Sequence, residues 1–315
     1  MAHLFTVGTP TYNRKELLKR LYESLKKQTF KDFVWLIVDD GSKDGTKEMV
    51  SGFISEGVLD IHYEYQENRG LYYVDKKLYS CITTKYYVGI DDDDELTQDC
   101  LETFKDEWKK IESEERFEIG CIRALSIDEN GIISGRYNAK TDIGTLDSDY
   151  IEMDWVRNKH FENITCLRSD VYKNVDLFCD EEKWMFDKIK VIYESVFWNR
   201  IARKYKTRYI FVPLRVYYHD AESSLTRNRF TEQKCYNYVV TSYLLLNDLG
   251  PERYKNFMRL FKVIGEYWSC VLALKLPIYK AFNTLLNPFD RFISILLIPI
   301  AFFVGLRLRS NFNDK

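Results

Sequence analysis

The residues best suited to chemistry in this chain are acidic and closely spaced. Asp91-Asp92-Asp93-Asp94-Glu95 follows directly on the apolar run Tyr86-Tyr87-Val88-Gly89-Ile90. Most acidic runs are solvated surface. Carboxylates crowded at the end of a buried strand, however, repel one another unless a cation holds them. Hard oxygen ligands suit magnesium or manganese, which also bridge to phosphate oxygens. The placement after an apolar strand therefore favours a metal site over a solvated run. A second acidic pair, Asp39-Asp40, ends another apolar run and leads into Gly41-Ser42-Lys43-Asp44-Gly45-Thr46. A capped turn explains Asp44, Gly41 and Gly45. It does not explain two adjacent acids, and a carboxylate there can accept hydrogen bonds from a base or ribose. A third segment, Thr9-Pro10-Thr11-Tyr12-Asn13-Arg14, suits a loop that caps a helix through Asn13. It equally suits backbone groups and the Tyr12 ring set against a nucleobase.

These segments need elements to hold them. Leu4 to Val7 predicts a strand ended by the breakers Gly8-Thr9-Pro10. Leu17, Leu18, Leu21 and Leu25 share one helical face between Arg14 and Gln28. Phe33 to Val38 is an apolar strand covered on both faces. Thr46 to Phe53 is helical, Ile61 to Tyr65 alternates as a strand, Gly70 to Ile82 is helical, and Tyr86 to Ile90 is a strand. This β-α-β-α-β-α-β order predicts an α/β fold, a mostly parallel sheet flanked by helices. Ligands bind such sheets beyond the carboxyl ends of their strands, where all three segments fall. A helix follows from Thr97 to about Ser113, and two strands between Phe117 and Arg136 surround the turn Asp128-Glu129-Asn130-Gly131. A helix from about Lys188 to Lys204, a strand from Tyr209 to Tyr218 and a mostly helical stretch beyond Thr231 complete the outline.

Taken in order, the three segments, with Asn68 and Gly70 between them, resemble the nucleotide-binding half of glycosyltransferase family 2, with its GT-A fold. The resemblance covers residues 3 to about 105 closely and thins out to about residue 226. It implies an inverting enzyme that takes a UDP-sugar donor with Mn2+ or Mg2+ through a D-x-D motif. It implies that Thr9, Tyr12 and Asp39 hold the uridine, that Asp91 contacts ribose or sugar, and that Asp93 ligates the metal on the diphosphate. Arg14, Asn68 and Asp92 join this donor set. Asn68-Arg69-Gly70 is followed by Leu71-Tyr72-Tyr73 where the family often has small or basic residues; Lys76 or Arg69 could reach a phosphate.

Inverting transfer needs a carboxylate to take the acceptor hydroxyl's proton and a cation to steady the leaving diphosphate. The family's base lies in an acidic pair before a helix, and the matching segment is Tyr193-Glu194-Ser195-Val196-Phe197-Trp198. Glu194 is thus the candidate base, against the alternative of an acid favoured by a helix dipole. Asp180, Glu181, Glu182 and Asp187 are rivals whose spacing suits a surface run. His219 resembles part of a loop that closes over the donor diphosphate, as a further metal ligand or phosphate donor. A lone His at a strand end is more often structural, and His3, His62 and His160 have no partner pattern.

Composition sets the remaining bounds. The chain has 315 residues, 46 basic and 48 acidic, for a net charge of −2. That balance leaves no footprint for nucleic acid. Seven cysteines without a C-x-x-C pair form neither a disulfide framework nor a zinc pattern, and no signal-peptide pattern precedes the first strand. Both point to a cytoplasmic protein. Phe292 to Leu306 is nearly all apolar; at ~1.5 Å per residue it spans about 22 Å, short of a ~30 Å hydrocarbon core. A buried core helix is one reading; with Lys275, Lys280, Arg291, Arg307 and Arg309 around it, an interfacial or re-entrant anchor on the inner face of the cell membrane suits it better. The expected organisation is a glycosyltransferase domain over 1–226, with a donor half 1–105 and an acceptor half 106–226. A helical region 227–315 follows, with a membrane-associating segment 289–309. The expected acceptor is a glycan or lipid-linked glycan of a bacterial capsule or surface polysaccharide. A nucleotidyltransferase shares the sheet and acidic site, but Thr9 to Arg14 lacks its glycine-rich loop. A non-catalytic membrane-associated scaffold is the other alternative, because Ser195 stands where the family has a second acid.

Overall fold

The structure, a computed structural model, describes residues 3–133, 135, 143–157, 159, 162–178, 188–218, 231–310 and 312. The chain forms two compact units: Met1–Asp154, Asn158–Asp176 and Ile201–Ala221 make the first, and Trp155–Arg157, Leu177–Arg200 and Glu222–Lys315 the second. In chain order the elements are β1 (Phe5–Thr11), α1 (Lys15–Lys26), β2 (Phe33–Asp39), α2 (Thr46–Glu56), β3 (Asp60–Tyr65), α3 (Leu71–Cys81), β4 (Tyr86–Gly89), β5 (Glu95–Leu96) and α4 (Cys100–Ser113). Then come β6 (Ile119–Asp128), β7 (Thr145–Ser148), a π-helix (Ile151–Val156), β8 (Asn163–Arg168), α5 (Ser169–Asn174), α6 (Ser195–Ala202) and β9 (Lys206–Tyr217). The last are α7 (Glu232–Asp248), a 3-10 turn (Pro251–Lys255), α8 (Phe257–Ala273), α9 (Ile278–Thr284) and α10 (Pro288–Ser310).

All the described strands lie in the first unit, in one sheet of order β3-β2-β1-β4-β8-β6-β9-β5, with β7 also paired to β9. Strands β3, β2, β1 and β4 are mutually parallel. β8 enters antiparallel between β4 and β6, and β6 resumes parallel pairing with β9. The sheet is thus mixed and mostly parallel. β1 and β2 are buried almost throughout, as near-continuous apolar strands between two helix layers must be. The edge strand β3 is largely polar and half-exposed, which blunts edge pairing. Tyr22 of α1, Trp35 of β2 and Phe53 of α2 stack in a run, with Tyr22 and Phe53 centroids 3.8 Å apart. The Trp35 indole N–H donates to Thr9 at 3.0 Å, which ties this aromatic packing to β1.

The structure departs from the sequence reading in several places. β1 runs through Gly8 and Pro10 to Thr11 instead of stopping at Val7. Gly8 serves a close approach: a Cβ there would stand 2.4 Å from the Tyr87 ring. Pro10 is tolerated because it pairs in register with Val38 alone, after β4 has ended opposite Gly8. Of the two strands expected between Phe117 and Arg136, β6 forms; its return arm is a single bridge, Ile127 to Ile133, among the described residues. The helix expected from about Lys188 is only α6, from Ser195. Its upstream backbone takes another partner: the Lys190 and Val191 N–H groups donate to Asn237, and that of Tyr193 donates to Thr241, both on α7.

In the second unit, α8 and α10 run side by side. A Cβ on Gly305 of α10 would come 2.9 Å from the Ser269 carbonyl of α8, so that glycine sets the close approach. The apolar segment judged too short to cross a bilayer belongs to a longer helix. α10 has 23 residues and continues through Pro299, about 34 Å at ~1.5 Å per residue. It is long and apolar enough to span a membrane. The six described cysteines are free.

Candidate active site

The β4 exit holds the acids. Asp91 is exposed, Asp93 half-buried, Asp92 and Asp94 buried. One oxygen each from Asp91, Asp93 and Asp94 lie within 4.8 Å of one another. The turn closes through an Asp94 N–H to Asp91 carbonyl bond of 3.3 Å. Arg20 of α1 donates to the Asp93 carbonyl and lies 3.7 Å over the Tyr218 ring. Neither Asp94 carboxylate oxygen has a hydrogen bond of good geometry. Arg215 stands 3.4 Å from it, and the Tyr218 backbone N–H also favours its ionised form. Burial nevertheless pushes the Asp94 carboxyl up to about 7. A buried carboxylate so poorly served, beside two others, is an arrangement a divalent cation relieves. The residues present therefore fit a hard metal ion, with Asp91, Asp93 and Asp94 as its oxygens.

Asp92 faces elsewhere. It accepts from Thr11 at 2.8 Å and from Arg14 at 3.0 Å, and Arg14 also reaches Asp93 at 3.2 Å. Burial raises the Asp92 carboxyl to about 6, outweighing Arg14 and Thr11. Burial lowers and Asp92 raises the Arg14 guanidinium, with a net rise. Arg14 thus clamps the β1 exit onto the acids of the β4 exit.

The β1 and β2 exits are laced together. Asn13 adopts φ 54°, its N–H donates to Ser42, and its side chain accepts from the Lys43 N–H. Asp44, not Asn13, caps α1 through the Lys15 N–H, and it also takes the Thr46 N–H and hydroxyl at the start of α2. These bonds outweigh burial and lower its carboxyl. Asp39 is fully buried; it accepts from the Ser42 N–H at 2.7 Å and the Tyr63 hydroxyl at 2.6 Å. Burial and then Asp39 raise the Tyr63 phenol well above its ordinary value. Asp40 accepts from Gln66 and from the N–H groups of Arg69 and Gly70, which folds the β3 exit against the β2 exit. Gly41, at φ +88°, lies so close that a Cβ would stand 2.9 Å from the Asn68 nitrogen.

The structure therefore brings Tyr12, Arg14, Asp39, Asn68, Asp91, Asp92 and Asp93 to neighbouring strand exits of one sheet edge. Tyr12 is 47% exposed, open for stacking. Thr9 lies one step deeper, fully buried, its hydroxyl occupied by Trp35. Arg69 lies over the Tyr73 ring at 3.7 Å, and Lys76 is exposed on α3. Glu194 belongs to the second unit; it is exposed just before α6 and accepts from the Trp198 indole at 3.1 Å. His219, Asp180, Glu181, Glu182, Asp187 and His160 lie outside the described residues. His3 bonds Asp32 and Asp60, and His62 pairs with Glu64. Sequence reasoning placed Thr11 and Asp94 in its segments without giving either a role, and it missed Arg20 and Arg215. No local pattern announces the last: β9 reaches the acidic turn only through the fold, as does Tyr218, which donates to Glu95 from 123 residues away.

The sequence from β1 into the β6 region, residues 6–135, matches the family described as Glycosyl transferase family 2. The matched stretch contains the β1, β2, β3 and β4 exits, but not the β9 end. The whole chain resembles S. aureus TarS 1–349 in complex with UDP-GlcNAc, with TM-score 0.64 and 15% identity over 99% of this chain and 93% of that one. It also resembles the mannosyltransferase PcManGT from Pyrobaculum calidifontis in complex with GDP-Man and Mn2+, with TM-score 0.52 and 14% identity over 98% and 88% of the two chains. At such identity these likenesses establish the fold, which is GT-A-like with C-terminal helices. Among curated proteins it is 24% identical over 218 residues to the processive diacylglycerol beta-glycosyltransferase of Mycoplasma genitalium, covering 62% of this chain and 60% of that protein. The chain spans from 15% to 60% of the length of the first curated relatives it matches.

Proposed function

We propose that this protein is a family 2 glycosyltransferase, inverting and metal-dependent. It moves a sugar from a UDP-sugar to a hydroxyl of a glycan or lipid-linked glycan of the bacterial cell surface. The observation that carries this reading is the gathering of Asp91, Asp93 and Asp94 at the end of β4, beside the β1 and β2 exits. The carboxyl edge of a parallel sheet is where a nucleotide sits. Complexes of its structural neighbours with UDP-GlcNAc, and with GDP-Man and Mn2+, support the donor class and the metal.

Each residue has a task in this reading. Tyr12 offers its exposed ring to the uracil, and Asp39, oriented by Ser42 and Tyr63, accepts from the base. Thr9 supports this contact from beneath through the β1 backbone, and Asn68 borders the nucleotide from the β3 exit. Asp91 meets the ribose or sugar. Asp93, with Asp91 and Asp94, would hold the divalent ion, which when bound stabilises negative charge on the leaving diphosphate. Arg14 fixes Asp92 and Asp93, so the ligands are positioned before the donor arrives. Glu194 takes the acceptor hydroxyl's proton, help worth roughly 10²–10⁴-fold, and His219 serves as a further metal or phosphate contact. The protein works on the cytoplasmic face of the membrane, held peripherally by its C-terminal helices.

The test is UDP release from a panel of UDP-sugars with Mn2+, with and without membrane extract, for wild type and Glu194→Gln. Donor-specific release that requires metal and drops at least ~10²-fold in Glu194→Gln supports enzyme and base together. Release that survives the substitution moves the base elsewhere. No release, with no UDP binding, overturns the enzyme reading.

A further inference from the structure

A cavity of about 340 Å³ lies in the second unit between α7, α8 and α10. Gly265 and Ser269 of α8, Leu297, Ile300 and Val304 of α10, and Tyr238 of α7 line it. Its size falls within the range of small-ligand pockets, and its walls are mainly apolar.

Two glycines of these helices differ in what they do, and only Gly265 lines the cavity. Gly305 is required, because a side chain there would strike the α8 backbone. Gly265 has no such reason: a Cβ at that position meets nothing within 4 Å. Glycine in a helix interior weakens the helix, and what it does at 265 is leave the wall open.

The cavity is continuous with an unusual surface. Ile300 and Val304, which line it, are 63% and 45% exposed. Phe292, Ile295, Leu296 and Phe303 extend the same exposed face along α10 at helical spacing. Contiguous apolar surface of this kind marks an interaction site. The bases Lys275, Lys280 and Arg307 are exposed on the same helical unit, as on surfaces that meet anionic lipid headgroups. The cavity's acid, Glu266, pairs loosely with Lys262 at 3.8 Å, and burial raises its carboxyl. That disfavours an anionic group inside and leaves the interior to hydrocarbon.

We propose that this cavity takes one alkyl chain of a membrane lipid, drawn from a bilayer on which the outer face of α10 rests. The inference deepens the proposed function by naming the hydrophobic part of a lipid acceptor, and it rests on that reading only for the acceptor role.

The experiment uses the full chain with phosphatidylglycerol vesicles containing a phospholipid that bears a diazirine in its acyl chain. After illumination, adducts are mapped by mass spectrometry. The expected result is labelling of the peptides around residues 265–270 and 297–304. Gly265→Leu, which fills the cavity, reduces that labelling several-fold while vesicle flotation and the lipid-free melting temperature stay at or above the wild-type level. Gly265→Ala gives a smaller reduction. Labelling confined to the outer stripe of α10, at Phe292, Ile295, Leu296 and Phe303 with none at 265–270, labelling indifferent to Gly265→Leu, or failure to bind vesicles overturns the proposal. The melting-temperature gain from UDP and Mn2+ is measured on the same samples, so loss of the donor reading and loss of the lipid site are separately visible.

Discussion

Asp92 and Asp94 are the two acids whose environment most opposes their charge; burial lifts their carboxyls to about 6 and about 7. An unfolded aspartate titrates near ~3.9. Between these values the folded chain binds more protons than the unfolded chain, so without a cation its stability falls as pH rises through that window. A divalent ion favours the ionised carboxylates and displaces their protons. The melting-temperature gain from Mn2+ with UDP should therefore be larger at about pH 8 than at about pH 5.5; a gain flat with pH would mean that Asp94 does not meet the metal. Asp93→Asn removes one ligand and one like charge from the group. It should abolish the Mn2+-dependent part of that gain while leaving the metal-free protein close to wild-type stability. Calorimetry with and without the ion separates the two effects.

Among the elements, the strand exits are held by backbone as much as by side chains. Gly41 combines φ +88° with a 2.9 Å approach to Asn68. Gly41→Ala should cost about 1–3 kcal/mol in urea unfolding and weaken UDP binding, because it loosens the β2 and β3 exits together. The same helix geometry permits opposite outcomes at two glycines of the second unit. Gly305→Val pushes α10 off the α8 backbone and should cost about 1–3 kcal/mol, whereas Gly265→Ala should stabilise by up to ~1 kcal/mol. The α6 region shows why local reading fails there. The 188–194 stretch has helix-compatible residues, but Asn237 and Thr241 of α7 offer its N–H groups other acceptors, and a sequence window contains neither.

At the scale of the whole molecule, the second unit is pinned by a buried charge pair. Arg253 bonds Asp290 at the start of α10 and also the carbonyls of Leu246, Leu249 and Gly250. Both side chains are almost fully buried. Arg253→Met strands Asp290 in a dry site and should cost about 3–5 kcal/mol. The double variant Arg253→Met/Asp290→Leu should recover part of this, but not the loss at the three carbonyls; a full thermal comparison of the three proteins checks it. The pair also bears on α10. Its length suffices to cross a bilayer, yet its first turn is fixed inside protein by Arg253, and its small face, Ser294, Ala301 and Gly305, is buried. These features suit a helix that rests on a membrane by its outer side.

The sequence by itself determined the first half of the molecule. Apolar runs alternating with amphipathic helices from Leu4 to Ile90 dictated parallel strands, and the acids and glycines following those runs dictated where the ligand edge lies. Such signals are local: period, breaker and cap all act within a few residues. Only the tertiary structure decided the rest. It inserted β8 antiparallel beside β4, brought Arg215 and Tyr218 of the β9 end to the acidic turn, and sent Asp92 to Arg14 while Asp91, Asp93 and Asp94 turned together. Four consecutive aspartates are indistinguishable in a sequence. What separates them is burial and the charge each one faces, and both are set by segments that meet across 78 to 123 residues of chain.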